Sequence, residues 1–355
     1  MKILHIAYFG QNRQMNGVAE AVLNLARAQI KLGENVKLAM INDHDLVDGK
    51  FIYYIKKTNE FKNLLENFKP DIVSFHSIYY LQQITFSKIL RKKSIPYVYV
   101  FHGGASSDNA KKHALKKQIG NFIFFNRIIR HAKKVVYLNE NEKNKSVFID
   151  INNNGIVIPN GVELHNNPFL DNKSGIINIS FISRMDYWGK GLDILFEVIC
   201  KIKNTSLENK VRFSFFGYDI NNTGEKFDKV GDLSHYYGYV SGDKKEKAFL
   251  DSDIMILPSR SEGMPMTVLE SLSYGVPCIV TPETNMADLI EAENCGWVTT
   301  LSVDDMLNTI EKSVFELPSK KKEYFENCKR AVQSYSWNNI ASLTINMYKK
   351  IKSNG

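Results

Sequence analysis

Two carboxylates, Glu262 and Glu270, stand eight residues apart in the segment PSRSEGMPMTVLESLSYGVP, residues 258–277. The residues around them read as a strand, a loop and a helix. The strand run ends at Leu257, the loop carries Glu262 and Gly263, and the helix closes at Tyr274 before Gly275. Pro265 takes a first helical position, where its missing N–H costs nothing. Met264 is a poor N-cap, so the first-turn N–H groups lack a side-chain partner unless Ser261 or Glu262 folds back. Such N–H groups, with the positive end of the helix dipole, make an anion site. Carboxylates do not bind phosphate, but they bind hydroxyls well. A ligand with phosphate in its middle and hydroxyl-rich sugars at both ends fits this order, and a nucleotide sugar is such a ligand. Spacing alone equally allows Glu262 to be a cap and Glu270 a solvated helix residue.

A second segment, SRMDYWGKG at residues 183–191, places Arg184 and Lys190 between a strand run and the next helix. Two cations at a sheet's carboxyl edge suit a diphosphate and its stabilisation as a leaving group. A solvated basic loop is the plainer alternative, and the neighbouring Trp188, Gly189 and Gly191 weigh toward the site. Asp43-His44-Asp45 has the look of a metal motif, but it follows the second strand, far from these cations. The expectation is metal-independent chemistry with no cofactor.

The elements that position these residues alternate from end to end. Apolar runs at Ile3–Phe9, Val36–Ile41, Ile72–Phe75, Tyr97–Phe101, Val135–Leu138 and Ile156–Ile158 read as strands, with a helix from Val18 to Leu32, capped by Asn16 and stopped by Gly33. The second half repeats the plan. Its strands are read at Ile176–Ile182, Val211–Phe216, Tyr236–Val240, Asp253–Leu257, Pro277–Thr281 and Trp297–Thr300. Its helices are read at Leu192–Lys203, Asp243–Leu250, Met266–Tyr274 and Ala287–Ala292. Continuous Val, Ile, Tyr and Phe runs mean strands buried on both faces, hence parallel sheets flanked by helices. Ile158–Val162 and the polar stretch after it read as a linker. Lys320–Tyr335 and Trp337–Lys352 read as two consecutive helices, with Ser336 able to cap the second. The expected fold class is α/β: a doubly wound domain over 1–165, joined by the helix 337–352 crossing back to it, and a second over 166–336.

The 355 residues, 44% hydrophobic, suit two such domains, each with its own core. No apolar stretch approaches membrane-spanning length, and the run Ile3–Phe9 is too short for a secretory signal. Cys200, Cys278, Cys295 and Cys328 form no C-x-x-C pair and read as reduced thiols of a cytoplasmic protein. Residues 1–168 carry 24 Lys and Arg against 13 Asp and Glu, while the remainder carries 22 against 25. The basic excess of the first half suggests an anionic partner. Its centre is Lys111–Lys134, KKHALKKQIGNFIFFNRIIRHAKK, where basic clusters flank an aromatic and aliphatic middle. That pattern suits a helix at an anionic membrane surface, and equally one packed on the sheet with its lysines in water. No nucleic-acid motif accompanies the basic residues.

Taken together the motifs resemble glycosyltransferase family 4, retaining enzymes with the GT-B fold, over nearly the whole chain. The resemblance is carried by Asn16-Gly17-Val18, His102-Gly103-Gly104, Ile158–Val162, Arg184-x5-Lys190-Gly191, Glu262-x7-Glu270, Gly275-Val276-Pro277 and Ser336-Trp337. Ser183 and Asn16 stand where glycine is usual in the family. The resemblance implies two Rossmann-like domains facing across a cleft, an acceptor lobe and a donor lobe. It implies that Glu262 holds the donor sugar, Glu270 the ribose, Arg184 and Lys190 the diphosphate, and that His102 lies near the reactive sugar. By itself a strand-end histidine such as His102 is more often structural. Gly17 resembles the loop glycine that lets backbone approach phosphate, and the backbone of Gly263, Met264, Pro265, Met266, Thr267 and Val268 completes the implied donor site. The implied reaction moves a hexosyl or N-acetylhexosaminyl group from a UDP-sugar to a lipid-linked glycan acceptor, with retention, in cell-surface polysaccharide synthesis. The alternatives are another GT-B enzyme, such as a nucleotide-sugar epimerase or an inverting transferase, and a two-lobed small-molecule binding protein without chemistry.

Overall fold

Runs of β-branched and aromatic residues build two all-parallel sheets, one in each of two units. A computed structural model describes residues 1–8, 17–41, 49–105, 120–169, 175–203, 205–220, 223, 226–227 and 230–353. One unit comprises Met1–Gly161 with Tyr335–Gly355, the other Val162–Ser334.

In the first unit, β1 (Lys2–Tyr8), β2 (Asn35–Ile41), β3 (Ile52–Tyr54), β4 (Ile72–His76), β5 (Tyr97–Val100), β6 (Lys134–Tyr137) and β7 (Gly155–Val157) lie in the order β3-β2-β1-β4-β5-β6-β7. β1 pairs β2 from Lys2↔Asn35 to Tyr8↔Ile41 and pairs β4 with His5 opposite Ser74. Every residue of β4 and β5 is buried, as strands covered on both faces must be. One face packs the aromatic core of Phe61, Phe75, Phe86, Tyr97, Tyr99, Phe101 and Phe148, with stacked rings such as Phe61 and Phe86 at 4.0 Å. The helices are α1 (Gly17–Lys31), α2 (Thr58–Phe68), α3 (Leu81–Lys92), α4 (Asn126–Arg130) and α5 (Glu140–Asn144), with a π-helical turn at Asn121–Phe125 leading into α4. Gly33, at φ +87°, ends α1 as the glycine stop requires. Asn16, the expected cap, and the Asp43–Asp45 motif lie outside the described residues, as do Lys111, Lys112, Lys116 and Lys117.

The last helix, α11 (Trp337–Ser353), packs on α1 within this unit. Ser336 caps it, accepting from the Asn339 N–H at 3.3 Å. Trp337 is 7% exposed and lies over the linker: a Cβ on Gly161 would fall 2.4 Å from its ring, so only glycine fits there.

The second unit repeats the winding with β8 (Ile177–Ile182), β9 (Val211–Phe216), β10 (Ser234–Tyr236), β11 (Ile254–Leu257), β12 (Cys278–Val280) and β13 (Gly296–Val298) in the order β10-β9-β8-β11-β12-β13. Its helices are α6 (Leu192–Ile202), α7 (Asp243–Leu250), α8 (Met266–Ser273), α9 (Ala287–Ala292) and α10 (Val303–Ala331), in numbering that follows the described elements. In both sheets the strand order reverses beside the first strand, the place where doubly wound folds bind ligands at the carboxyl ends. In the second unit that point lies between β8 and β11, the strands feeding the two motif loops.

The structure departs from the expected elements in several places. The helix expected from Lys320 begins at Val303 and runs through Pro318, because buried Met306, Ile310, Val314 and Leu317 continue the stripe of Tyr324, Cys328 and Ala331 across the proline. β3 was not anticipated. Pro265 is the cap residue of α8, at φ −70° and ψ 121°, and Met266 is its first helical residue.

Candidate active site

In the second unit the loops after β8 and β11 are laced together by backbone. The Arg260 N–H donates to the Gly189 carbonyl at 3.0 Å. Gly191, at φ +68°, comes so close to Pro258 that a Cβ would sit 2.0 Å from its carbonyl oxygen. Glycine is therefore required here both for conformation and for space. The Arg260 guanidinium fixes the same junction, with two hydrogen bonds of 2.7 Å to the Asp193 carboxylate and its plane 4.5 Å from the Trp188 ring centre.

This junction sets Lys190 against Glu262. Their side chains form an ion pair, both largely buried at 14% and 15% exposure. Ser259 Oγ donates to the same carboxylate at 2.7 Å. Asn285, in the left-handed region at φ 59°, donates from Nδ2 to the carbonyls of Glu262 and Gly263 at 2.7 and 3.1 Å. The Glu262 N–H donates to the Glu283 carbonyl at 3.0 Å. Glu262 is thus held at its carboxylate by Lys190 and Ser259 and at its backbone by Asn285 and Glu283.

Beyond it the chain turns at Pro265 into α8, whose N-terminus receives no side-chain cap. Met264, Pro265, Met266 and Val268 are buried, while Gly263 and Thr267 are half-exposed, so the loop presents backbone more than side chain. Glu270, further along α8, pairs with Lys245 of α7 at 2.7 Å. Arg184 lies on the same sheet edge, but its guanidinium is 58% exposed and faces Asp186 at 3.5 Å. The structure therefore joins Lys190 to Glu262, gives Glu270 a different cation, and leaves Arg184 directed to the solvent side. Lys245, Asp186, Ser259, Asn285 and Arg260 were not anticipated. Asp186, Ser259 and Arg260 lie within the two motif segments, where nothing in their spacing marks them, whereas Lys245 and Asn285 come from other parts of the chain.

In the first unit, Gly17 is the first residue of α1, and a Cβ there would meet nothing within 4 Å. His102 follows β5 in the left-handed region, at φ 51°. The turn is fixed from below by Glu142 of α5, 2% exposed, whose carboxylate accepts from the N–H groups of Gly103 at 2.5 Å and Leu138 at 2.6 Å. Burial raises the pKa of Glu142 above the usual carboxylate value, against the lowering effect of those two bonds. His102 Nε2 lies 2.9 Å from His76 Nδ1, and burial lowers the His102 pKa to about 4. The signal that was available for His5 and His76 is the polar residue inside an otherwise apolar strand run. A cavity of about 30 Å³ borders His76 and His102 between the sheet, α1 and α11. Among the described residues no group of three His, Cys, Asp or Glu is arranged to hold a metal ion. Among the described residues, too, no helix is long and apolar enough to cross a membrane.

The motifs and the fold agree with known proteins. A family model described as Glycosyltransferase Family 4 matches residues 15–166, and one described as Glycosyl transferases group 1 matches residues 177–314. An uncharacterized 41.2 kDa protein in the cps region of Klebsiella pneumoniae is 28% identical over 72% of each chain. The O-antigen biosynthesis glycosyltransferase WclY of Escherichia coli is 24% identical over 78% of this chain and 80% of its own. Among solved structures, WaaG, a glycosyltransferase involved in lipopolysaccharide biosynthesis, superposes with a TM-score of 0.71 at 15% identity, covering 98% and 99% of the two chains. Anabaena HepE in complex with UDP and glucose superposes with a TM-score of 0.73 at 14% identity, covering 99% and 100%. Two doubly wound units in series, matched along their whole length, are the GT-B fold, and the chain belongs to glycosyltransferase family 4.

Proposed function

We propose that the protein transfers a hexosyl or N-acetylhexosaminyl group, with retention of anomeric configuration, from a UDP-sugar to a lipid-linked glycan acceptor in surface polysaccharide synthesis. The observation that carries this reading is the Lys190–Glu262 pair held beside the uncapped N-terminus of α8. A preformed cation, a carboxylate and a helix N-terminus at one strand-to-helix corner suit a diphosphate flanked by hydroxyls. Lys190 and Arg184 take the diphosphate, Glu262 the sugar hydroxyls and Glu270 the ribose. The backbone from Gly263 to Val268 lines the donor. In the first unit Gly17 and His102 are the candidate residues.

The reacting carbon passes through an oxocarbenium-like state, so the enzyme's main task is to stabilise the departing diphosphate and align the acceptor hydroxyl. The lysine and arginine supply positive charge where it is needed, so transfer proceeds without a metal. No side chain stands out as a nucleophile, which favours displacement on the same face by the acceptor itself. A relative named for O-antigen synthesis, another encoded in a cps region and a structural neighbour holding UDP and glucose support the donor and pathway. The exposed Ile123 and Phe124 beside the exposed Arg127 and Arg130 support a membrane-borne acceptor.

The test is transfer from a panel of nucleotide sugars to undecaprenyl-diphosphate-linked sugars in the presence of EDTA, with the product's anomeric configuration read by NMR. Retained configuration and UDP release are expected. An inverted product points to an inverting transferase, and release of a free epimerised sugar nucleotide to an epimerase.

A further inference from the structure

Two buried histidines, the half-buried His102 and a buried glutamine form one hydrogen-bonded line through the first unit. Gln29 Oε1 lies 2.8 Å from His5 Nε2, His5 Nδ1 lies 2.9 Å from His76 Nε2, and His76 Nδ1 lies 2.9 Å from His102 Nε2. Gln29 and His5 are 0% exposed and His76 is 1% exposed. The line begins on α1, crosses β1 and the end of β4, and emerges at the strained turn after β5. Packing alone does not call for histidine at two neighbouring strand positions where apolar residues would fill the space.

We propose that Gln29, His5 and His76 are positioning residues that fix the tautomer of His102, leaving its Nδ1 bare to accept a hydrogen bond from a ligand hydroxyl. The inference rests on the transferase reading, in which His102 meets a sugar hydroxyl.

The argument is one of donor and acceptor accounting. A neutral imidazole has one N–H and one bare nitrogen, so the role of either nitrogen dictates the other. The Gln29 carbonyl oxygen only accepts. His5 Nε2 must therefore carry its hydrogen, and His5 Nδ1 accepts from His76 Nε2–H. His76 Nδ1 in turn accepts from His102 Nε2–H, and His102 Nδ1 has no hydrogen.

A side branch supports this direction. Ser74 Oγ lies 3.2 Å from His76 Nε2, and the Tyr348 hydroxyl of α11 hydrogen-bonds Ser74. A hydroxyl oxygen readily shares the N–H of His76. Burial lowers the pKa of His5 to about 4 and that of His76 well below its usual value, so the rings are neutral near pH 7.

A bare Nδ1 selects a partner that brings a proton. An ionised phosphate oxygen has none, whereas a sugar hydroxyl does. The far end of the line holds the choice. Gln29 Nε2 has no partner among the described residues, and turning the amide over would reverse every ring and give His102 an Nδ1–H.

The test uses full-length protein labelled with ¹⁵N-histidine, without donor, with the His102 ring signals assigned by their loss in His102→Gln. At pH 7, His102 Nδ1 is expected to resonate as an unprotonated nitrogen and Nε2 as a protonated one. Gln29→Met, which changes nothing near a ligand, is expected to mix the His102 tautomers. It should also lower kcat about tenfold with little change in donor KM, the low end for losing a partner that orients a functional histidine. His76→Asn keeps an acceptor toward His102 and is expected to retain the tautomer, while His76→Leu is not. A protonated Nδ1 in the native protein overturns the proposal, as do unchanged ring signals and turnover in Gln29→Met. If no nucleotide sugar serves as donor, the transferase reading fails while the ring measurement still decides this one.

Discussion

At the residue scale the decisive contact is Lys190 with Glu262. Gln in place of Glu262 keeps an acceptor for Lys190 and for Ser259 Oγ but removes the charge. Glu262→Gln should therefore fold as the native protein does and lose about a hundredfold or more in kcat, the scale for one preorganised polar contact at the reacting centre. Steady-state kinetics beside a thermal melt separate the two effects, and near-normal turnover removes Glu262 from the chemistry. Lys190→Ala should lose as much turnover, with some stability besides, because it strands a largely buried carboxylate. The histidine line has its own signature. Burial depresses the His5 and His76 pKa values in the folded state, so the unfolded chain binds more protons below its ordinary value near 6.5. The stability they contribute is complete above about pH 6.5 and is lost as pH falls toward 4, at up to about 1.4 kcal/mol per pH unit for each ring. Urea unfolding at pH 7 and pH 5 measures this loss, and equal stability at the two values contradicts neutral burial. Glu262, Glu270, Arg184, Lys190 and His102 could be named as candidates because local motifs mark them. Lys245, Asn285 and Gln29 were not, because their roles come from strands and helices brought together over long separations.

At the element scale most strands and helices were readable from apolar runs, with boundaries shifted by a residue or two. The failures have physical causes. β3 has three half-buried residues, too few to show a period. β10 ends at Tyr236, and Gly238, at φ +78°, turns the chain within the run read as a strand to Val240. In α10, Pro318 lacks the N–H that would bond to the Val314 carbonyl, yet burial on both sides holds the helix together. Pro318 itself is exposed, so replacing it removes no packing. Pro318→Ala should restore that bond and stabilise the protein by about 1–3 kcal/mol. A raised midpoint in urea is the expected result. An unchanged or lowered midpoint means that a kink at this position is part of the native packing.

At the scale of the whole molecule the question is where the enzyme works. The first half of the chain carries the basic excess, and the described part of its basic segment has a divided face. Phe125, Ile128 and Ile129 are buried against the core, whereas Ile123 and Phe124 are 52% and 40% exposed. Arg127, Arg130 and Lys133 are exposed beside them. Leu81, 73% exposed, follows shortly after Tyr79, whose ring meets Phe125 edge-on at 5.1 Å. One segment thus packs on the sheet and still offers apolar side chains and cations outward, the combination that rests at headgroup depth. Each cation near an anionic leaflet is worth about 1 kcal/mol, and the proposed lipid-linked acceptor would require reversible attachment of this kind. Liposome flotation at low salt should carry the protein up with anionic vesicles and not with neutral ones. Raising the salt should release it, as screening requires. Ile123→Ser with Phe124→Ser should weaken flotation while leaving transfer to a short water-soluble acceptor unchanged, because neither residue belongs to the donor site. Failure to float with anionic vesicles at low salt removes the membrane from the proposal and makes a soluble acceptor the better reading.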